Sequence, residues 1–290
     1  MSKHRLGRFG IWSPFWSIAI GGADPAQLRA AQDTAAELED LGFGGLWMGR
    51  SPEVRWAGPL LAATTRIQVA TSVTRIWTST ASEVAETFAG LRRDYGGRFL
   101  LGLGVSHSEL NQAYAHPYAA MVRFLDDLDA AAEPVPSGDR ILAALGPKML
   151  KLSAERTVGA NPYLVTRAQI AEERVALGPD AILAPEFKAI LDADRERGLA
   201  TARSYLATYL QMTNYRSSFV RGGFGDDDFT GGGSERLIDA VFAIGAPEVV
   251  AERLDDLLVA GADHVAVQVV TGRDDAPKAE WRALAAALTF

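Results

Sequence analysis

His107 stands just past an apolar, glycine-containing run, RFLLGLGV over 98–105, with Ser106 between, and is trailed by Glu109 and Asn111. An imidazole at the end of a buried strand can donate a proton or ligate a substrate. It serves equally as a hydrogen-bonded structural histidine, and both readings stand. A second group is Ala143, Ala144, Leu145, Gly146, Pro147 and Lys148, which reads as strand, turn and helix start. Free N–H groups at a helix start, a glycine and a nearby cation suit a phosphate. Gly-Pro is also ordinary helix-start punctuation, and the residues alone favour that simpler reading. Trp12, Trp47 and Trp77 fall at or just beyond predicted strand ends, where three indoles either wall a flat ring and an apolar substrate or pack into the core. No His/Asp/Glu set has metal-ligand spacing, so no metal is expected. GDDDFTGGGSER fails as a calcium loop because Leu237 stands where Glu is required. The glycine-rich stretch 222–233 is read as a mobile lid or a plain loop. His4 and His116 look peripheral, and His264 begins a strand, at the wrong end for chemistry.

These groups must be positioned by alternating strands and helices. The segment 67–107 contains a β-branched strand (Ile67, Val69, Thr71, Val73), the polar loop TRIWTST, a helix and a second strand. Thr80 and Glu83 form a T-x-x-E capping box, Val84, Phe88 and Leu91 repeat at helical spacing, and Gly96-Gly97 ends the helix. RFLLGLGV is apolar on both faces, as a covered parallel strand must be. Further strands are predicted over 6–12, 43–48, 140–144, 161–165, 187–191 and 264–270. Between them lie helices opened by Asp24-Pro25 and Gly146-Pro147, helices over 119–132, 167–177, 193–209 and 247–260, and a terminal helix to Leu288. Eight βα units without a linker indicate a single-domain (β/α)8 TIM-type barrel over 1–290 with loop insertions at its C-terminal face. Gly102-Leu103-Gly104 does not begin a dinucleotide fingerprint: its third position is His107 and the glycines lie inside the strand. They are read instead as leaving room for a ligand.

The chain has 290 residues, 48% hydrophobic and 22% charged, with no cysteine and a net charge of −7. That excludes disulfides, thiolate metal sites and a cysteine nucleophile, and argues against nucleic acid or an anionic membrane as partner. Lys3, Arg5 and Arg8 before FGIWSPFWSIAIGGA imitate a leader, but two tryptophans and a proline interrupt the apolar run. No stretch reaches the ~20 apolar residues of a membrane span, and a cytoplasmic protein is expected.

TSV before a polar loop and helix, then GGRFLLGLGVSH, together with AAELEDLGFGGLWMG, ILAALGPKMLKLSAERTVGANPYLV and AGADHVAVQVV, resemble the luciferase-like flavin and deazaflavin oxidoreductases. Within them the chain is most similar to actinobacterial-type members using coenzyme F-420. The resemblance implies a barrel with the cofactor ring at its C-terminal mouth and a cis Ser72–Val73 bond supporting the ring. It further implies cofactor contacts at Ser72, Val73, Thr74 and Asn111, phosphate binding along Ala143–Lys148, and a homodimer. The chain departs from sugar-phosphate-oxidising members, which carry an Asp-His pair after strand two where this sequence has Gly49 and Arg50. Arginine cannot accept a proton near neutral pH, so that chemistry is not transferred. Arg50 is read as contacting an anionic substrate or cofactor tail, or as snorkelling over the surface.

The expected function is hydride transfer between 8-hydroxy-5-deazaflavin (coenzyme F-420) and a small organic substrate, with His107 as proton donor or substrate ligand. An FMN-dependent monooxygenase of the same fold is the first alternative. A non-catalytic flavin-binding or partner-subunit protein is the second.

Overall fold

The computed structural model describes residues 6–107, 116–273 and 275–290; Asn111 and Glu109 lie outside them, as does His4. Eleven strands are found among the described residues: β1 (Phe9–Ser13), β2 (Gly45–Met48), β3 (Gln68–Thr71), β4 (Thr74–Arg75), β5 (Phe99–Gly104), β6 (Arg140–Leu142), β7 (Gly159–Ala160), β8 (Ile182–Leu183), β9 (Glu186–Ile190), β10 (Phe242–Ile244) and β11 (Val265–Val269). All pair in parallel, in the order β10-β9-β11-β1-β2-β3-β5-β6-β7-β8, with β4 on β5. β8 and β9 are parts of one extended run bonded on both sides: Ala184 N–H donates to Ala160 O, and Ala266 N–H donates to Pro185 O. The ring therefore closes, and the expected TIM-type barrel is the observed fold.

Helices cover the outside of the ring, and the largest apolar cluster fills the layer between them and the strands. Local sequence explains their ends. Asp24 accepts from Ala26 N–H at 2.9 Å ahead of Pro25, and Thr80 with Glu83 makes the predicted reciprocal capping box on Ala81–Tyr95.

Several elements differ from the sequence reading. The strand expected over 161–165 is the two-residue β7, because Pro162 offers no N–H and Leu164 turns to a positive φ of 54°. β8 was not foreseen, and neither were the short helices Phe15–Gly21 and Ala57–Ala63. Between β9 and the barrel helix Pro247–Val259 the chain makes an excursion. It comprises helices Arg195–Tyr209, Thr213–Arg221 and Glu235–Val241 and the outer strand β10, and it has its own apolar cluster around Leu206, Phe219 and Leu237. Residues 222–233 belong to it. There Asp228 accepts from Gly225 N–H at 3.0 Å, Ser234 Oγ at 2.6 Å and the Arg236 guanidinium, which holds its carboxyl at about 2.

The strand leading to Ser72 is anchored by a buried carboxylate. Glu39 accepts from the backbone N–H groups of Thr65 (3.0 Å), Arg66 (2.6 Å) and Ile67 (2.7 Å) and from the Thr65 hydroxyl (3.0 Å). Burial alone would raise its pKa, but these four donors carry it down to about 2 from 4.5. A depressed carboxyl contributes stability above its unfolded pKa and loses it as pH falls through the folded one. Glu39→Ala should therefore cost about 3 kcal/mol at pH 7 and much less at pH 2, measured by urea unfolding at both pH values.

Candidate functional site

A cavity of about 880 Å3 opens at the C-terminal ends of the barrel strands. Its walls come from the segments after β2, β3, β5, β6 and β7, from Trp12 near the end of β1, and from the excursion between 204 and 215.

The β3 side is shaped by a register change. Ala70 pairs with Leu100 and Thr74 with Leu103, so three residues (71–73) oppose two (101–102), which is a one-residue bulge. Thr71 Oγ1 fills the broken ladder, accepting from Gly102 N–H and donating to Gly102 O, both at 2.9 Å. The Ser72–Val73 peptide bond is cis. Ser72 Oγ donates to Asn161 Oδ1 at 2.7 Å, and Asn161 Nδ2 donates to Ala184 O at 2.6 Å, so this side is held from across the barrel. The glycines of β5 accommodate the bulge. A Cβ on Gly102 would lie 1.8 Å from Thr71 O, and one on Gly104 would lie 2.4 Å from Val73 Cγ2. The space read from sequence as a ligand's is thus taken by the Thr71 backbone and by Val73, which itself lines the cavity.

Beside it, across β5, Ala143 through Met149 form a continuous wall. Gly146 is extended (φ −125°, ψ 158°) ahead of helix Pro147–Arg156, no side chain caps that helix start, and a Cβ on Gly146 would meet nothing within 4 Å. Arg221 of the excursion donates to Leu145 O at 2.6 Å and ties the two sides together.

His107 lines the cavity. Its Nδ1 lies 3.0 Å from Asn214 Oδ1, and since an amide oxygen only accepts, Nδ1 carries the proton in this contact. Its ring packs on Tyr215 at 5.1 Å. Trp12 and Arg50 also line the cavity, Arg50 with a positive φ of 61°. The other three residues singled out do not. Thr74 is buried, donating to Pro52 O at 3.0 Å. Trp77 donates to Val105 O at 2.7 Å and packs against the outer core. Trp47 lies inside the barrel, where its indole N–H donates to His264 Nε2 at 2.9 Å. His264 is fully buried, bonds Gly7 O through Nδ1, and is pushed down to about 4 by burial, so it stays neutral. Three indoles at one mouth are therefore reduced to one.

Two features were missed. The described lining residues include Arg50, Arg75 and Lys148 and no carboxylate, in a chain of net charge −7, and Arg75 Nε is buried without a hydrogen-bond partner among the described residues. The floor is polar: Tyr163, Tyr205 and Tyr209 bring their hydroxyls together above a buried Glu186–Lys188 pair. The net charge of a sequence does not say which cations will meet in one cavity. Glu186 and Lys188, however, two apart on a strand and so on one face, were a visible sign of charge turned into a barrel.

Among the described residues no group of acidic or histidine side chains could hold a metal, and no helix is long and apolar enough to cross a membrane.

Residues 7–133 match the family of luciferase-like monooxygenases. No curated protein matches the chain by sequence. Among solved structures, an F420-dependent secondary alcohol dehydrogenase in complex with an F420-acetone adduct is similar with a TM-score of 0.70 at 14% identity, over 97% of this chain and 98% of that one. The coenzyme F420-dependent tetrahydromethanopterin reductase from Methanopyrus kandleri gives a TM-score of 0.70 at 16% identity with the same coverage, 97% and 98%. The oxygenating constituent of 3,6-diketocamphane monooxygenase from Pseudomonas putida, in complex with FMN, gives 0.64 at 13% identity over 98% and 99%. The chain thus has the luciferase-like fold along nearly its whole length and matches that family in sequence over residues 7–133, as its resemblance implied.

Proposed function

We propose that this chain is an oxidoreductase that binds the phosphate-bearing deazaflavin coenzyme F-420 and moves a hydride between it and a small organic substrate. The observation that carries this reading is the cavity's charge: three cations and no carboxylate among its described lining residues, in an acidic protein. Such a site concentrates an anion and disfavours a cation. The residues present fit the group. Ala143, Ala144 and Leu145 offer an apolar surface, Gly146 leaves open space beside an uncapped helix start, and Lys148 adds a cation there for a phosphate. Arg75, with its buried unpartnered Nε, and Arg50 supply further positive charge from the segments after β3 and β2. Ser72 and Val73 stand between these walls on the bulge. His107, oriented by Asn214, is placed to hydrogen-bond the substrate, and Trp12 to exclude water beside it. When bound, the deazaflavin supplies two-electron hydride chemistry and lacks the ring nitrogen through which reduced flavin reacts with oxygen.

An FMN-dependent monooxygenase is the second reading, favoured by the description of the family that residues 7–133 match. Cofactor titration by fluorescence separates the two. Coenzyme F-420 should bind at least tenfold more tightly than FMN, ~1.4 kcal/mol, with no substrate-dependent oxygen uptake. Lys148→Glu should weaken F-420 at least tenfold and leave a phosphate-free deazaflavin within a few fold. Tight FMN binding with oxygen-coupled product formation would establish the monooxygenase instead.

A further inference from the structure

The cavity floor holds machinery that neither the cofactor reading nor His107 uses. Tyr163 follows β7, and Tyr205 and Tyr209 are one turn apart on helix Arg195–Tyr209. All three line the cavity. The Tyr163 and Tyr205 hydroxyls are hydrogen-bonded to each other; Tyr209 Oη lies 2.8 Å from Tyr163 Oη and 3.1 Å from Tyr205 Oη. On β11, Gln268 Oε1 accepts from Tyr205 at 2.8 Å and from Tyr163 at 3.3 Å. Behind the rings, Glu186 and Lys188 of β9 are fully buried and ion-paired, with Lys188 Nζ 3.3 Å from the centre of the Tyr163 ring and 5.8 Å from that of Tyr205.

The hydrogen bonds distinguish the three phenols. An amide oxygen only accepts, so Tyr163 and Tyr205 face an acceptor and are held protonated toward it. Tyr209 has no such contact. If Tyr209 gives up its proton, the Tyr163 and Tyr205 hydroxyls, 2.8 and 3.1 Å away, can each turn its single proton from Gln268 to the Tyr209 oxygen, Tyr163 most readily because its contact with Gln268 is the longer, at 3.3 Å. The other groups around it are Tyr215, whose ring centre is 5.3 Å away, His107 packed at a tilt against Tyr215, and Glu186. Burial pushes all four phenols up and Glu186 adds to that, but at Tyr209 the hydroxyls of Tyr163 and Tyr205 both act downward.

We propose that Tyr209 exchanges the proton with the substrate oxygen, that Tyr163 and Tyr205 position and stabilise it, and that the substrate is therefore a carbonyl–alcohol pair. This rests on the hydride-transfer reading above. In the reducing direction the carbonyl carbon gains the hydride supplied by the reduced deazaflavin, and the C=O π pair moves to oxygen. That oxygen forms an O–H bond with the Tyr209 proton as the Tyr209 O–H bond breaks, and solvent returns a proton to the phenolate. Oxidation of the alcohol runs the same steps backwards. His107 is left to orient the substrate.

Two measurements test this. The first is a near-ultraviolet phenolate titration of the cofactor-free protein. The phenolate step at lowest pH among the floor tyrosines should vanish in Tyr209→Phe and move to higher pH in Tyr163→Phe and in Tyr205→Phe. The second is steady-state reduction of aliphatic and aromatic ketones and aldehydes with reduced F-420. Tyr209→Phe should lower kcat by about 100-fold or more with KM within about threefold. A Tyr209→Phe protein that keeps kcat within threefold, or keeps that phenolate step, overturns the assignment while leaving the hydride reading intact. Wild-type protein that transfers no hydride to any carbonyl overturns both.

Discussion

Replacing Lys188 by Met should lower stability at pH 7 by about 3–5 kcal/mol, because it leaves Glu186 as a buried carboxylate with no counter-charge. Glu186 already has one oxygen without a hydrogen-bond partner among the described residues, and burial pushes it up to about 7 even beside the ammonium; burial likewise pushes Lys188 down to about 8. Without Lys188 the carboxyl can fold only by taking up a proton. A carboxyl whose folded pKa is raised keeps its contribution below the unfolded pKa and loses it as pH rises through the folded one. The deficit in Lys188→Met should therefore be larger at pH 8 than at pH 5. Adding Glu186→Gln should recover most of the loss, since the lone charge is then gone. Urea unfolding of the single and double variants at both pH values checks this, and a single variant as stable as wild type would mean that the pair is not needed to fold the floor.

Gly102→Ala should have the second large effect. Its Cβ would lie 1.8 Å from Thr71 O and 2.9 Å from Thr71 C, both backbone atoms that no rotamer change can move aside. The bulge opposite must shift, and with it Ser72 and Val73. The expected cost is about 3 kcal/mol, the upper end for overpacking, with cofactor affinity reduced by more than tenfold in whatever protein remains folded. By contrast Gly146→Ala, where an added Cβ meets nothing within 4 Å, should leave stability within about 0.5 kcal/mol. Equal stability losses at the two glycines would remove the packing account of β5.

What was legible in the sequence was what local chemistry decides. The capping box at Thr80, the proline-led helix at Asp24 and the apolar strand 98–105 were read from residues that act on their near neighbours, and they stand where expected. Alternation over the whole chain sufficed for the barrel. The losses came where tertiary contacts decide. β7 and β8 are two residues each, too short for any periodicity, and exist because neighbouring strands bond them. Trp47 reads like Trp12, and the two pair in register and both turn into the barrel, but Trp47 is bonded there to His264 while Trp12 reaches the cavity wall. The tyrosine floor joins residues 46 positions apart along the chain, from Tyr163 to Tyr209, and no spacing rule links them.

The excursion between β9 and Pro247 gives the cavity two owners. The barrel supplies Ser72, Val73 and the wall from Ala143 to Met149, the side read as holding the cofactor, while the excursion supplies the stretch from Tyr205 to Tyr215 and carries a separate apolar cluster beneath it. That cluster meets the barrel at Leu164, Ile190 and Val270, so substitutions in the segment that keep this seam can accumulate without repacking the rest of the ring of strands. In such a molecule the choice of substrate can drift in evolution so long as Tyr205 and Tyr209 of the excursion are kept. For the engineer, a library confined to 193–244 that spares Tyr205, Tyr209 and Arg221 would explore new substrates on an unchanged cofactor platform.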